Sequence, residues 1–352
     1  MYNQPEDIIG QYDLTAGKIT KGRGNSYICE TDVGTKILVP YAGSAERALF
    51  LRDFLLYLKD AGFFCEQVLL THTGEALCED AYGGRYICKD LLQGNECSTR
   101  SKEEMKEAAK ILALYHKVSA GCPLEASESL KRNPESLKRN PESLTRNPDS
   151  LDGGRNSLAK NQDSRNLPET FRKHSKEMLR VRNFVSSRRN KGGFELRFLE
   201  YYPVFAEQAH QAEVLLAQMV DWPDLIWVHG EVNQHNIRKS APGWHMVNFE
   251  HLARSWAMTD LAHFLRKMME KNNWRVELGL EMVAAYDSVE RIRPADRQLL
   301  YILLSYPEKF WKLSNQYAAS HKPWLAQRSI EKLERLIAQE SAKERFLLHL
   351  TH

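Results

Sequence analysis

His229-Gly230-Glu231-Val232-Asn233-Gln234-His235-Asn236-Ile237 is followed eleven residues on by Asn248-Phe249-Glu250, and ten residues after that comes Asp260-Leu261-Ala262. A short apolar run, Leu225-Ile226-Trp227-Val228, precedes this polar cluster, and Trp244–Val247 closes it. Residues 225–248 therefore read as a non-helical island in a region that is otherwise helical by its apolar spacing. An island of turns rich in His, Glu and Asn, held between rigid elements, is where a fold places chemistry.

The helical pattern around the island covers Pro168–Arg189, Phe194–Gln218, Thr259–Lys271, Glu277–Ser288, Ala295–Leu304 and Ser329–Leu350. In the last of these, Ile330, Leu333, Ile337, Phe346 and Leu350 form a broad apolar stripe suited to core packing. The first hundred residues read differently. Strand signals at Lys18–Ile28, Lys36–Tyr41, Val68–Leu70, Ala76–Cys78 and Arg85–Lys89 are separated by glycine turns, with one helix over Ala45–Lys59. A second helix, Lys102–Val118, opens with Ser101 and Glu104 at capping-box spacing. The expected fold class is α+β with two lobes: a small antiparallel sheet lobe over residues 1–93 and a larger helical lobe over 98–352.

The 352 residues are 42% hydrophobic, enough for a sizeable core. No apolar run approaches the roughly 20 residues a membrane helix needs, and Met1–Gly10 has neither the basic nor the apolar region of a signal peptide. Synthesis in the cytoplasm without a signal peptide and no membrane insertion are the corresponding expectations. Lys and Arg exceed Asp and Glu by 49 to 46, and Ser129–Arg165 alone contributes eight basic and five acidic residues, leaving the remainder at 41 against 41. That balance gives no reason to expect a nucleic-acid partner. Six cysteines, all within the first 122 residues, include no CxxC pair and are read as small reduced hydrophobes.

The Ser129–Arg165 segment repeats with a period of seven: SLKRNPE, SLKRNPE, SLTRNPD, then decaying copies. A proline and a single leucine per heptad exclude a coiled coil. With no aromatic residue, residues 124–166 are expected to be a disordered insertion in the helical lobe.

The island and its sequel resemble the H-G-D-x-x-x-x-N loop and I-D-F-D/E segment of the aminoglycoside phosphotransferase and choline kinase superfamily, whose fold is protein-kinase-like. A narrower resemblance is to the CotS-type spore coat proteins, a kinase-like family of endospore-forming bacteria. It rests on Arg23-Gly24 with Tyr27-Ile28-Cys29-Glu30-Thr31, on Gly94-x-Glu96-Cys97, on Phe264-Leu265-Arg266-Lys267 and Trp274, and on Tyr306-Pro307-Glu308-Lys309-Phe310-Trp311-Lys312-Leu313. The resemblance implies Glu231 at the position of the catalytic base, with His229 and Asp260 orienting the loop. It places Asn236, Asn248 and Glu250 at the metal positions, and Gly22, Gly24 and Val39 on the nucleotide side. If the site is active, its cofactors are ATP and Mg2+.

Several positions depart from that pattern. Val39 stands where the third strand carries a phosphate-binding lysine. Strand alternation puts residues 35, 37 and 39 on one face, so Lys36 points the other way, as an exposed lysine. Glu231 adds a methylene to the expected aspartate, displacing its carboxylate by about 1 Å, and shifts of that size can reduce rate about a hundredfold. Asn248 supplies a neutral amide where a hard cation prefers charge. Lys21-Gly22-Arg23-Gly24 lacks a third glycine and also reads as a hairpin turn, in which Arg23 is free to meet a phosphate. Two functions are compatible with these residues. One is a spore coat protein with a degenerate site, acting as scaffold or binding module for other coat proteins, with nucleotide as a further ligand. The other is an active phosphotransferase on a hydroxyl of a small molecule, sugar or protein.

Overall fold

Five antiparallel strands in the order β1-β2-β3-β5-β4 make the first layer: β1 (Ala16–Lys21), β2 (Tyr27–Thr31), β3 (Lys36–Pro40), β4 (Cys78–Glu79) and β5 (Arg85–Asp90). A computed structural model describes residues 5–124, 167–319 and 324–350. The heptad insertion lies outside the described residues. Alternation along β3 and β5 gives the sheet two apolar faces. Leu38 and Cys88 join Cys29, Cys78 and Tyr86 beneath the short helix α1 (Pro5–Ile9). Val39 and Ile87 face the helix α2 (Ala45–Asp60), whose Leu51, Phe54, Leu55 and Leu58 are buried. Ser44 caps α2 by accepting the amide of Arg47 at 3.2 Å.

The sheet feeds through β6 (Asn95–Glu96) into α3 (Lys102–Ala120), and the chain continues as α4 (Leu167–Ser187) and α5 (Gly193–Ala217). Four short strands then follow: β7 (Ile226–Val228), β8 (Ile237–Ser240), β9 (Gly243–Met246) and β10 (Ala253–Ser255). β7 pairs with β10, and β6 pairs with β8, which pairs with β9. Helices α6 (Ala257–Lys271), α7 (Val276–Asp287), α8 (Pro294–Ser305), α9 (Glu308–Ala318) and α10 (Trp324–Leu350) complete the larger lobe. One continuous core joins α2 to these helices. No helix among the described residues is long and apolar enough to cross a membrane. All six cysteines are unpaired and five are buried, packed as small apolar groups.

Some local expectations need correction. Lys18–Ile28 is a hairpin, broken by the 3-10 turn Arg23–Asn25, in which Gly24 has φ 63°. Val68–Leu70 forms only an isolated bridge from Val68 to Lys89, because the chain touches β5 there and leaves it. Ala76–Cys78 contributes a strand only from Cys78. No helix is expected over Glu308–Ala318, yet α9 forms there, with Pro307 at its N-cap, where no intrahelical N–H is lost. The capping box at Ser101 is half made: its hydroxyl accepts the amide of Glu104, whose carboxylate turns to the amide of Ser98 at 2.8 Å.

Candidate phosphotransfer site

β7 delivers His229 into full burial, and the loop that follows is held from below by Asp260 near the start of α6. The Asp260 carboxylate accepts the amides of His229 at 2.7 Å and Gly230 at 2.9 Å, with His116 Nε2 at 3.3 Å. His116 is itself set by the Tyr286 hydroxyl, 2.7 Å from Nδ1. His229 Nε2 lies 3.0 Å from the carbonyl of Val247, which can only accept, and its Nδ1 accepts the amide of Glu231 at 3.3 Å. Those partners fix a neutral imidazole protonated on Nε2, and burial lowers its pKa. Gly230 has φ 82°, and a Cβ there would lie 2.3 Å from the carbonyl oxygen of His251. Only glycine lets the loop and the Asn248 segment approach this closely.

Glu231 reaches the cleft, where its carboxylate meets His251 Nε2 at 2.9 Å. Burial favours the neutral acid, but the bond and charge of His251 outweigh it, so the Glu231 carboxyl is held below its ordinary range. His251 is raised, first by the hydrogen bond it donates to Glu231. A base lowered in this way takes up a proton less readily at neutral pH. Asn236 donates to the carbonyl of Glu231 at 2.7 Å and accepts from Asn248 Nδ2 at 2.7 Å. Asn248 sits in the left-handed region, φ 68° and ψ 55°, a conformation asparagine tolerates better than most residues.

The decisive group at this site is Lys89, which sequence reasoning missed. Cross-strand partners Val39–Ile87 and Ile37–Lys89 put Lys89 on the same sheet face as Val39. Its side chain is 2% exposed, and Nζ donates to Glu66 at 3.0 Å, to Asn248 Oδ1 at 3.1 Å and to Glu250. Burial opposes its charge, but Glu250 and Glu66 together raise its pKa above the ordinary lysine value. Glu250 is lowered, because Lys89 outweighs the burial that would raise it. Glu66 is raised, chiefly by burial. It also accepts the amides of Asn248 at 2.7 Å and Phe249 at 3.2 Å, so the small lobe grips the Asn248 turn directly. Lys36 lies on the opposite face, as alternation requires. It is buried rather than exposed, paired with Asp90 at 2.7 Å.

Val39, Glu231, Asn236, Asn248 and Glu250 line a single cavity of about 590 Å³. His229 and Asp260 lie behind it, while Gly22 and Gly24 belong to the β1–β2 turn and are absent from its lining. The site fits Mg2+ poorly as it stands. Asn248 Oδ1 and Glu250 are engaged by the Lys89 ammonium, and Asn236 Oδ1 is engaged by Asn248. A divalent cation would have to displace a buried lysine and find one carboxylate among three ligands. Among the described residues, no group of three or more His, Cys, Asp and Glu is placed to hold a metal.

The family model described as Phosphotransferase enzyme family matches residues 15–299. Spore coat protein S of Bacillus subtilis (strain 168) is 24% identical over 349 residues, covering 97% of this chain and 92% of that one. Among solved structures, an aminoglycoside phosphotransferase from Alicyclobacillus acidocaldarius superposes with TM-score 0.76 at 15% identity, covering 99% of this chain and 96% of that chain. Spectinomycin phosphotransferase APH(9)-Ia, solved with ADP and spectinomycin, gives 0.62 at 11% identity, covering 97% and 98%.

Proposed function

This chain belongs to the phosphotransferase enzyme family, and on that premise we propose that it is a spore coat protein whose kinase-like cleft has lost phosphoryl transfer and serves as a binding or scaffolding module. The observation that carries this reading is the Lys89 ammonium, seated between Asn248 and Glu250 where the family would hold Mg2+. A univalent, covalently tethered cation neutralises those oxygens permanently, so the metal–phosphate bridge that positions the transferred group has no place to form. Val39 offers no charge for the phosphates, and the Glu231 base is weakened by His251. Similarity to spore coat protein S over nearly the whole chain supports the coat as its location and other coat proteins as its partners. Detection of the protein in coat fractions extracted from purified spores tests that part.

One observation favours the active alternative. Lys89 shares the sheet face of Val39, so with Mg2+ on Asn248 and Glu250 its ammonium would be free to meet a phosphate. A thermal shift with ATP, with and without Mg2+, separates the two readings. A ligand at a hundred times its Kd adds about 2.7 kcal/mol. No Mg2+-dependent shift is expected. A clear one, lost in Asn236→Ala and in Glu250→Ala, would establish the active alternative instead.

A further inference from the structure

One part of the cavity lining is built by three helices and is strongly basic. Helix α6 contributes Lys267 and Lys271, the start of α9 contributes Lys309, and α10 contributes Lys332 and Arg335. Positions four or three apart on a helix share a face, with Cβ atoms about 5–6 Å apart, so each of α6 and α10 presents two cations side by side. The wall is held in place by other contacts. Arg197 on α5 grips Glu334 with a two-pronged pair at 2.6 and 2.9 Å, which fixes the rotation of α10. Gln339 donates to the carbonyl of Glu270 at 3.0 Å and to Asn273 at 2.8 Å, pinning α10 to the end of α6.

Of the three acids in the cavity lining, Glu231 is paired with His251, Glu250 with Lys89, and Glu270 is already shared by Arg266 and Lys309, each at 3.2 Å. Burial would raise the Glu270 pKa, but Arg266, Lys309 and Lys267 outweigh that and lower it. The His263 imidazole in the same lining is kept neutral, first by burial and then by Arg266, Lys312 and Lys267. Lys271, Lys332 and Arg335 have no ion-pair partner among the described residues. A concave, walled site focuses the field of such a cluster, and its volume lies in the range of small-ligand pockets.

We propose that this basic wall is a binding subsite for a small polyanion, a molecule carrying at least two phosphate or carboxylate groups, within the cavity that Asn236 and Asn248 also line. The subsite does not require phosphoryl transfer, so it stands or falls apart from the function proposed above. It also gives Phe264–Lys267 and Tyr306–Leu313 a joint role. Their apolar residues Phe264, Leu265, Phe310 and Trp311 are core, while Lys267 and Lys309 project into the cavity.

The test is calorimetric titration of the full chain, without Mg2+, with inorganic pyrophosphate, tricarballylate and the cation spermidine. One or both anions should bind and spermidine should not. The stronger of the two anions names the source of the charge, phosphate or carboxylate. Lys332→Glu with Arg335→Glu, both exposed side chains, should weaken anion binding by about tenfold or more, with an unchanged circular dichroism spectrum. Lys271→Glu on the other helix provides an independent reading of the same loss. Lys173→Glu with Arg180→Glu, exposed on α4 and outside the cavity, carries the same charge change and should leave binding unaltered. Failure of both anions to bind, equal loss in the two double variants, or preference for spermidine would overturn the proposal.

Discussion

Replacing Lys89 by methionine leaves Glu66 and Glu250 buried against each other without their shared cation. Removing one member of a buried ion pair typically costs about 3–5 kcal/mol. Proton uptake sets a ceiling, because a carboxyl of ordinary pKa 4.5 can be neutralised at pH 7.5 for about 4 kcal/mol, and at pH 5.5 for about 1.4 kcal/mol. In the variant, the folded protein binds more protons than the unfolded chain, since its carboxyls are raised. Its stability therefore falls as pH rises. The wild type keeps Glu250 low, so its contribution is present above the ordinary carboxylate range and lost only in acid. The expected loss for Lys89→Met is thus about 4 kcal/mol at pH 7.5 and under half that at pH 5.5. Urea unfolding at the two pH values, read from the shift in midpoint at constant slope, measures both. Adding Glu250→Gln should recover more than half of the loss at pH 7.5. A loss below about 1 kcal/mol, or one that is the same at both pH values, would refute the account of Lys89 as a buried counter-ion.

The same geometry governs restoration of catalysis. Val39→Lys with Glu231→Asp and Asn248→Asp should remain inactive in an ATP hydrolysis assay until Lys89→Met is added, because Lys89 otherwise neutralises the new aspartate. Activity in the triple variant alone would show that Lys89 does not close the metal position. Gly230→Ala places a methyl 2.3 Å from the His251 carbonyl at a left-handed residue and should lower stability by about 2–4 kcal/mol, measured by chemical unfolding. The Glu308 carboxyl is lowered to about 2: burial opposes its ionisation, but Lys312 and His174 prevail. Its contribution is fully present above pH 4.5 and disappears as pH falls through about 2. Glu308→Gln should therefore flatten acid unfolding over that window, a change of about 3 kcal/mol in the pH dependence of stability.

The spacing from His229 through Asn236 and Asn248 to Asp260 was legible because a turn-rich island uses local sequence to place its groups. The long helices were legible for the same kind of reason, since each buries one periodic face. Lys89 was not. Arg85-Tyr86-Ile87-Cys88-Lys89 reads as a strand, and the meaning of its lysine depends on which strand lies beside it. Once β3 and β5 are known to be neighbours, alternation puts Lys89 on the face of Val39 and away from Lys36. Glu66 carries still less signal, because it follows a short loop and its three partners lie 23 or about 180 residues away. His251 follows immediately after Glu250, yet its pairing with Glu231 depends on the close approach that Gly230 permits. Charges that act across the cleft are set by tertiary register, which composition and local periodicity do not encode.

The contacts that Glu66 and Lys89 make with residues 248–250 have a further consequence, for motion. In a two-lobed molecule the lobes ordinarily swing about their connection, and each is free to loosen on its own. Here opening the cleft would strip a buried ammonium from its carboxylates, and the connection is stitched down as well, with Glu96 on His235 at 2.6 Å and Cys97 on the carbonyl of Ile237 at 3.0 Å. The sheet and the helices are thereby made a single cooperative unit. Calorimetry should record one transition whose van't Hoff and calorimetric enthalpies agree, with two resolved transitions as the contrary result. If that single transition is found, a partner meets a cleft whose two lobes are already ordered against each other, and the ordering cost of binding there is reduced.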